Sequence, residues 1–221
     1  MEELQNKEVR QLVVEFRACD EDGKRTIEGR AIPFNVKSPN RQGFREMITP
    51  EAVEGVIEAS DIKMLYNHDE SKGFLARSNK GKGKLNIEVK EDGVYFNFTP
   101  KKDNLSQYVY ERLESGELNE MSWAFTVAEE TWSKGEDGIY DRTITKFERL
   151  YDFSVVDSSY YGIENAVSCR SYQDILDKEA EEVRLQKEKE EQEKREQEEK
   201  EKEEALKAYY ENIRKENESY L

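Results

Sequence analysis

Through the first 172 residues the apolar positions fall mostly into short runs rich in aromatic and β-branched residues, the pattern of half-buried strands. The segments "RQLVVEFRAC" and "RTIEGRAIPF" flank Asp20-Glu21-Asp22-Gly23, a hairpin-like turn. Three more strand-like runs, "IKMLYN", "KLNIEV" and "VYFNFT", follow with Gly-rich or Asp-Gly breaks, and "EMSWAFTVAEETW", "IYDRTITKFERL" and "YDFSVV" complete the set. Helical spacing interrupts them twice. "TPEAVEGVIEAS" offers Thr49 as N-cap and Pro50 at the first helical position, with Ala52, Val53, Val56 and Ile57 on one side. "NLSQYVYERLESG" carries Leu105, Val109 and Leu113 at helical spacing and stops at Gly116. These elements predict a β-rich α+β fold: a closed or strongly curved antiparallel β-barrel decorated by two or three helices.

The pattern changes near Tyr172, which predicts a head of residues 1–172 and a tail of 173–221. Gln186 to Glu204 holds neither an aromatic nor an aliphatic side chain, so no coiled-coil seam runs through it. Glu and Lys three and four residues apart favour a solvated single helix with fraying ends, disorder being the close alternative. Two short apolar patches flank this stretch, Ile175-Leu176 with Val183 and Ala205-Leu206 with Tyr209-Tyr210.

Composition narrows the functional classes. A net charge of −15 disfavours a nucleic-acid partner engaged through phosphates. The opening "MEELQNKEVR" lacks the pattern of a signal peptide, and no apolar run reaches the roughly 18–20 residues of a membrane span, so a soluble, cytosolic protein is expected. Cys19 and Cys169 lack metal-ligand spacing and read as reduced structural thiols; no metal or cofactor is expected.

Candidate chemistry rests on a few residues. If "EMSWAFTV" is a strand, Met121, Trp123 and Phe125 take one face and Ser122, Ala124 and Thr126 the other. In "LYDFSVV" the same alternation sets Phe153 and Val155 against Asp152 and Ser154. Adjacent strands would bring Ser122 and Asp152 onto a shared polar surface. A serine nucleophile needs a base in hydrogen-bond reach, and His68, in "YNHD", is the chain's only histidine. On composition alone His68 reads as an exposed loop residue among Asn67, Asp69 and Glu70, and a lone strand serine as structural. No G-x-S-x-G elbow is present, which disfavours an α/β-hydrolase.

Several pieces in order change that weighting. "EGRAIPFN", "FREMITPEAV", "LYNHD", "ERLESGELNEMSWAF" and "ERLYDFSVVDSS" together resemble the prohead (capsid maturation) serine proteases of tailed bacteriophages, relatives of the herpesvirus maturation protease assemblin. The resemblance implies an assemblin-like β-barrel with surrounding helices and a serine endopeptidase with His68 as general base, Ser122 as nucleophile and Asp152 as third member. Glu148 and Asp69 compete for that third role. It further implies oxyanion donors among the backbone N–H groups near Tyr160 and Tyr161, in "SSYYG". The implied substrate is the scaffold-like segment of the major capsid protein, and the chain itself. A homodimer inside the procapsid, in the host cytoplasm, is the expected setting, with the tail as a scaffold or targeting segment. Two other readings stand beside this one: a non-catalytic assembly protein of the same fold, and an unrelated β-barrel binding module whose histidine is incidental.

Overall fold

The computed structural model describes residues 7–13, 16–21, 24–40, 43–157 and 169–218. Contacts divide the chain into two compact units, Met1–Ser168 and Cys169–Leu221.

The first unit is built around one long hairpin. Strand β10 (Glu120–Lys134) pairs antiparallel with β11 (Tyr140–Val156), and Gly138 turns the chain between them at φ +77, a conformation that suits glycine. On its other edge β11 takes two partners in succession. Its start pairs parallel with β4 (Phe44–Ile48) and its end pairs parallel with β5 (Asp61–Tyr66). The link between these two partners is a 3-10 turn, Pro50–Val53, followed by α1 (Val56–Ala59). Ala52, Val53, Val56 and Ile57 are all buried, as their spacing predicts. A single helix is not formed there, because Gly55 adopts φ +70 and splits the segment in two.

Strand β1 (Glu8–Val13) adds to the free edge of β10, while β6 (Ala76–Asn79) and the short β7 (Lys82–Gly83) extend the sheet beyond β5. A second sheet runs β2-β3-β9-β8 and is antiparallel throughout: β2 (Phe16–Glu21), β3 (Lys24–Pro33), β8 (Asn86–Lys90) and β9 (Gly93–Phe98). The expected closed antiparallel barrel is therefore corrected. Among the described residues the strands form two sheets, and the one containing β11 is mixed, because the crossover through α1 returns β5 parallel to β11. "RQLVVEFRAC" likewise divides, β1 joining the first sheet and β2 the second. Phe96 of β9 meets Phe153 of β11 with ring centroids 6.4 Å apart, within a continuous buried cluster that includes Ile32, Met64, Trp123 and Val155. Helix α2 (Asn104–Glu114) starts at Asp103, whose carboxylate accepts from Ser106 N–H at 2.8 Å, and buries Val109 and Leu113.

A buried ionic cluster joins four strands. Arg10 of β1 makes a two-pronged contact with Glu46 of β4, both at 2.8 Å, and also bonds Glu8. Arg142 of β11 reaches Glu8 and Glu46 at 2.7 Å and Glu130 of β10 at 2.6 Å. Each guanidinium also lies over a ring, Arg10 over Phe125 at 5.4 Å and Arg142 over Trp132 at 5.6 Å. Burial opposes the Glu46 charge, but Arg10 and Arg142 outweigh it and hold the carboxyl below its ordinary value of 4.5. A carboxyl with a lowered folded-state pKa stabilises the fold fully above its unfolded value, and that contribution is lost as pH falls through the lowered one. Glu46→Gln therefore costs roughly 3 kcal/mol near neutral pH, in the range for breaking a buried ion pair. In urea titrations the gap to wild type is full above pH 4.5 and narrows in more acid solution.

The second unit is α3 (Arg170–Glu218), 49 residues long. Its described side chains from Gln186 to Glu204 are exposed, and Arg195 pairs with Glu191 at 2.8 Å and Arg184 with Glu188 at 3.6 Å, one turn apart. Val183 is 54% exposed. The side chains of Ala205, Leu206, Tyr209 and Tyr210 lie outside the described residues. Among the described residues no helix is long and apolar enough to cross a membrane.

Candidate functional site

Register places the candidate side chains before any side-chain contact is considered. Across β10 and β11, Ser122 stands opposite Ser154 and Ala124 opposite Asp152. Opposed residues share a face, so Ser122, Ser154 and Asp152 all project to the side away from Phe153. Strand β5 runs beside that end of β11, with Tyr66 opposite Val155, and Asn67 N–H donates to Val155 O at 2.9 Å. The chain then turns: Asn67 and His68 both adopt φ +54, a left-handed conformation in which Asn and His are over-represented among non-glycine residues. Asn67 Oδ1 accepts from Asp157 N–H at 3.2 Å, fixing the turn to the end of β11.

This turn carries the His68 ring onto the polar face. Its Nε2 lies 2.7 Å from Ser122 Oγ, and its Nδ1 meets Asp152 Oδ1. The His68 side chain is only 8% exposed, correcting the reading of an exposed loop residue; of its polar neighbours Asn67 is buried with it and Glu70 is exposed. Ser122 and Ser154 have no exposed surface, and Asp152 is buried as well. Asp152 Oδ2 faces Lys7 Nζ at 3.4 Å.

The rivals for the third position are Asp69 and Glu148. Asp69 accepts from Ser71 N–H at 3.0 Å and pairs with Lys72 at 3.2 Å; Ser71 and Lys72 hold its carboxyl below the usual range. Glu148 is exposed. Tyr160 and Tyr161 lie outside the described residues.

One further contact limits what the hydroxyl can do. Ser122 Oγ also lies 2.7 Å from the Arg10 carbonyl, to which it donates. A serine has one proton for these two acceptors, so rotation about Cβ–Oγ exchanges them. With Nδ1–H directed at Asp152, Nε2 presents a lone pair and draws the Ser122 proton toward the imidazole. The assembly can thus take a proton from a hydroxyl and hold the resulting imidazolium against a carboxylate. Among the described residues no group of three His, Cys, Asp or Glu side chains is placed to hold a metal ion.

Strand alternation places Ser154 on the Asp152 face without marking a role for it, its position two residues after Asp152 being the available signal. Lys7 and the Arg10 carbonyl had no signal, since both depend on β1 lying beside β10.

The family profile described as caudovirus prohead serine protease matches residues 12–178. No curated protein matches the chain. Among solved structures, the bacteriophage T4 capsid assembly protease, gp21, is similar at a TM-score of 0.40 and 11% identity, over 69% of this chain and 98% of that one.

Proposed function

We propose, from the premise that the chain belongs to the caudovirus prohead serine protease family, that its capsid-maturation proteolysis is carried out by Ser122, His68 and Asp152. One observation carries this reading: the chain's single imidazole is hydrogen-bonded to a serine on one side and a carboxylate on the other. Ser122 Oγ attacks the peptide carbonyl while His68 Nε2 takes its proton. The imidazolium then protonates the leaving amine, giving an acyl-enzyme that water hydrolyses by the same relay. Asp152 fixes the tautomer and stabilises the transient positive charge. Ser122 has no exposed surface in this state, so an opening step precedes acylation.

The substrate in this reading is the scaffold-like segment of the major capsid protein, inside the procapsid in the host cytoplasm, with the chain's own tail as a second target. The protease acts as a homodimer, and residues 173–221 serve as a scaffold-like segment cut away from the head of residues 1–172. Intact-mass spectrometry over time, on full-length protein mixed with capsid subunit, tests this. Discrete fragments mapping to the capsid segment and the tail are expected, along with a dimeric mass in native spectra. Intact chains throughout would favour a non-catalytic assembly role.

A further inference from the structure

Ser154 stands opposite Ser122 on β11, buried where a strand residue of this core would ordinarily be apolar. Its hydroxyl makes two described bonds, and both go to the candidate machinery. It accepts from the His68 backbone N–H at 3.1 Å and donates to Asp152 Oδ1 at 3.1 Å. The first bond fixes the backbone of the left-handed residue that carries the imidazole. The second shares Oδ1 with the His68 ring, so one carboxylate oxygen receives both donors. A single hydroxyl therefore ties the position of the histidine's main chain to the orientation of the carboxylate its ring addresses.

We infer that Ser154 is a positioning residue for proteolysis, setting His68 and Asp152 in register for Ser122; this rests on the assignment of those three residues above. It touches no substrate atom. Its removal leaves a buried N–H and a carboxylate oxygen each short of a partner. The ring then samples orientations in which Nε2 misses the Ser122 proton, so the loss falls on kcat and spares KM.

Threonine and valine at position 154 make a matched pair, because both add a methyl group to a β-strand and only threonine keeps a hydroxyl. Ser154→Thr is expected to keep kcat within a few-fold of wild type. Ser154→Val is expected to lose roughly 10–100-fold in kcat, the scale of a hydrogen bond to a charged group, with KM within about two-fold. Because His68 is the only histidine, its imidazole proton resonances need no site labelling. They should shift in Ser154→Val and stay near wild type in Ser154→Thr. Ser154→Ala, which adds no bulk, should follow valine. Equal kcat and equal spectra for the threonine and valine variants would overturn the proposal, as would full activity in Ser154→Ala. Undiminished cleavage by Ser122→Ala would instead remove the assignment beneath it.

Discussion

Replacing Ser122 by alanine is expected to lower kcat by about a million-fold, the loss seen when a triad nucleophile is removed from a serine protease. His68→Ala should be comparably severe, and the double variant little worse than either alone. That non-additivity follows from the geometry: His68 Nε2 has a proton to take only because Ser122 Oγ lies 2.7 Å away. The fold should survive, since alanine deletes one hydroxyl and leaves the β10 ladder to β1 and β11 in place. Progress curves of capsid-subunit cleavage, with circular dichroism as a folding control, measure both effects. Comparable rates in wild type and Ser122→Ala would end the assignment.

Asp152→Asn is expected to cost about 10,000-fold in kcat, the magnitude for a triad aspartate whose amide replacement favours the wrong imidazole tautomer. The amide is close to the carboxylate in shape, so packing beside Ala124 is preserved while the negative charge facing His68 Nδ1 disappears. Asp69→Asn and Glu148→Gln serve as controls for the two rival carboxylates. Asp69 caps a short 3-10 turn through Ser71, and Glu148 is exposed, so each variant should retain activity within about three-fold. The ranking of the three variants identifies the acid whatever their absolute rates; a collapse confined to Glu148→Gln or Asp69→Asn would refute Asp152.

How much of this was legible in the chain varies by element. Alternation in "EMSWAFTV" and "LYDFSVV" correctly put Ser122 and Asp152 on polar faces, because side chains on a strand follow a fixed period of two. Local sequence carries no comparable signal for which strands become neighbours. The parallel pairing of β5 with β11, which delivers His68, arises from the crossover through α1, so it became visible only in three dimensions. Strand β4 was hidden because its inward positions are Phe44, Glu46 and Ile48, and the middle one is a carboxylate. Glu46 tolerates that place through Arg10 and Arg142, more than 35 residues away on either side. The burial of the His68 side chain is hidden for the same reason: its polar surroundings in sequence imply solvent, and only the fold brings Asp152 and Ser154 to His68 and Asp157 to Asn67.

Whether Ser122 is the nucleophile activated by His68 can be read from mass spectrometry of a serine-reactive phosphonate adduct, formed under conditions in which the capsid subunit is being cleaved. One adduct per chain is expected on the peptide containing Ser122, accumulating in step with loss of cleavage and absent from His68→Ala. Cleavage that is abolished without modification of Ser122, or labelling of Ser122 that is equally fast without His68, would contradict that assignment.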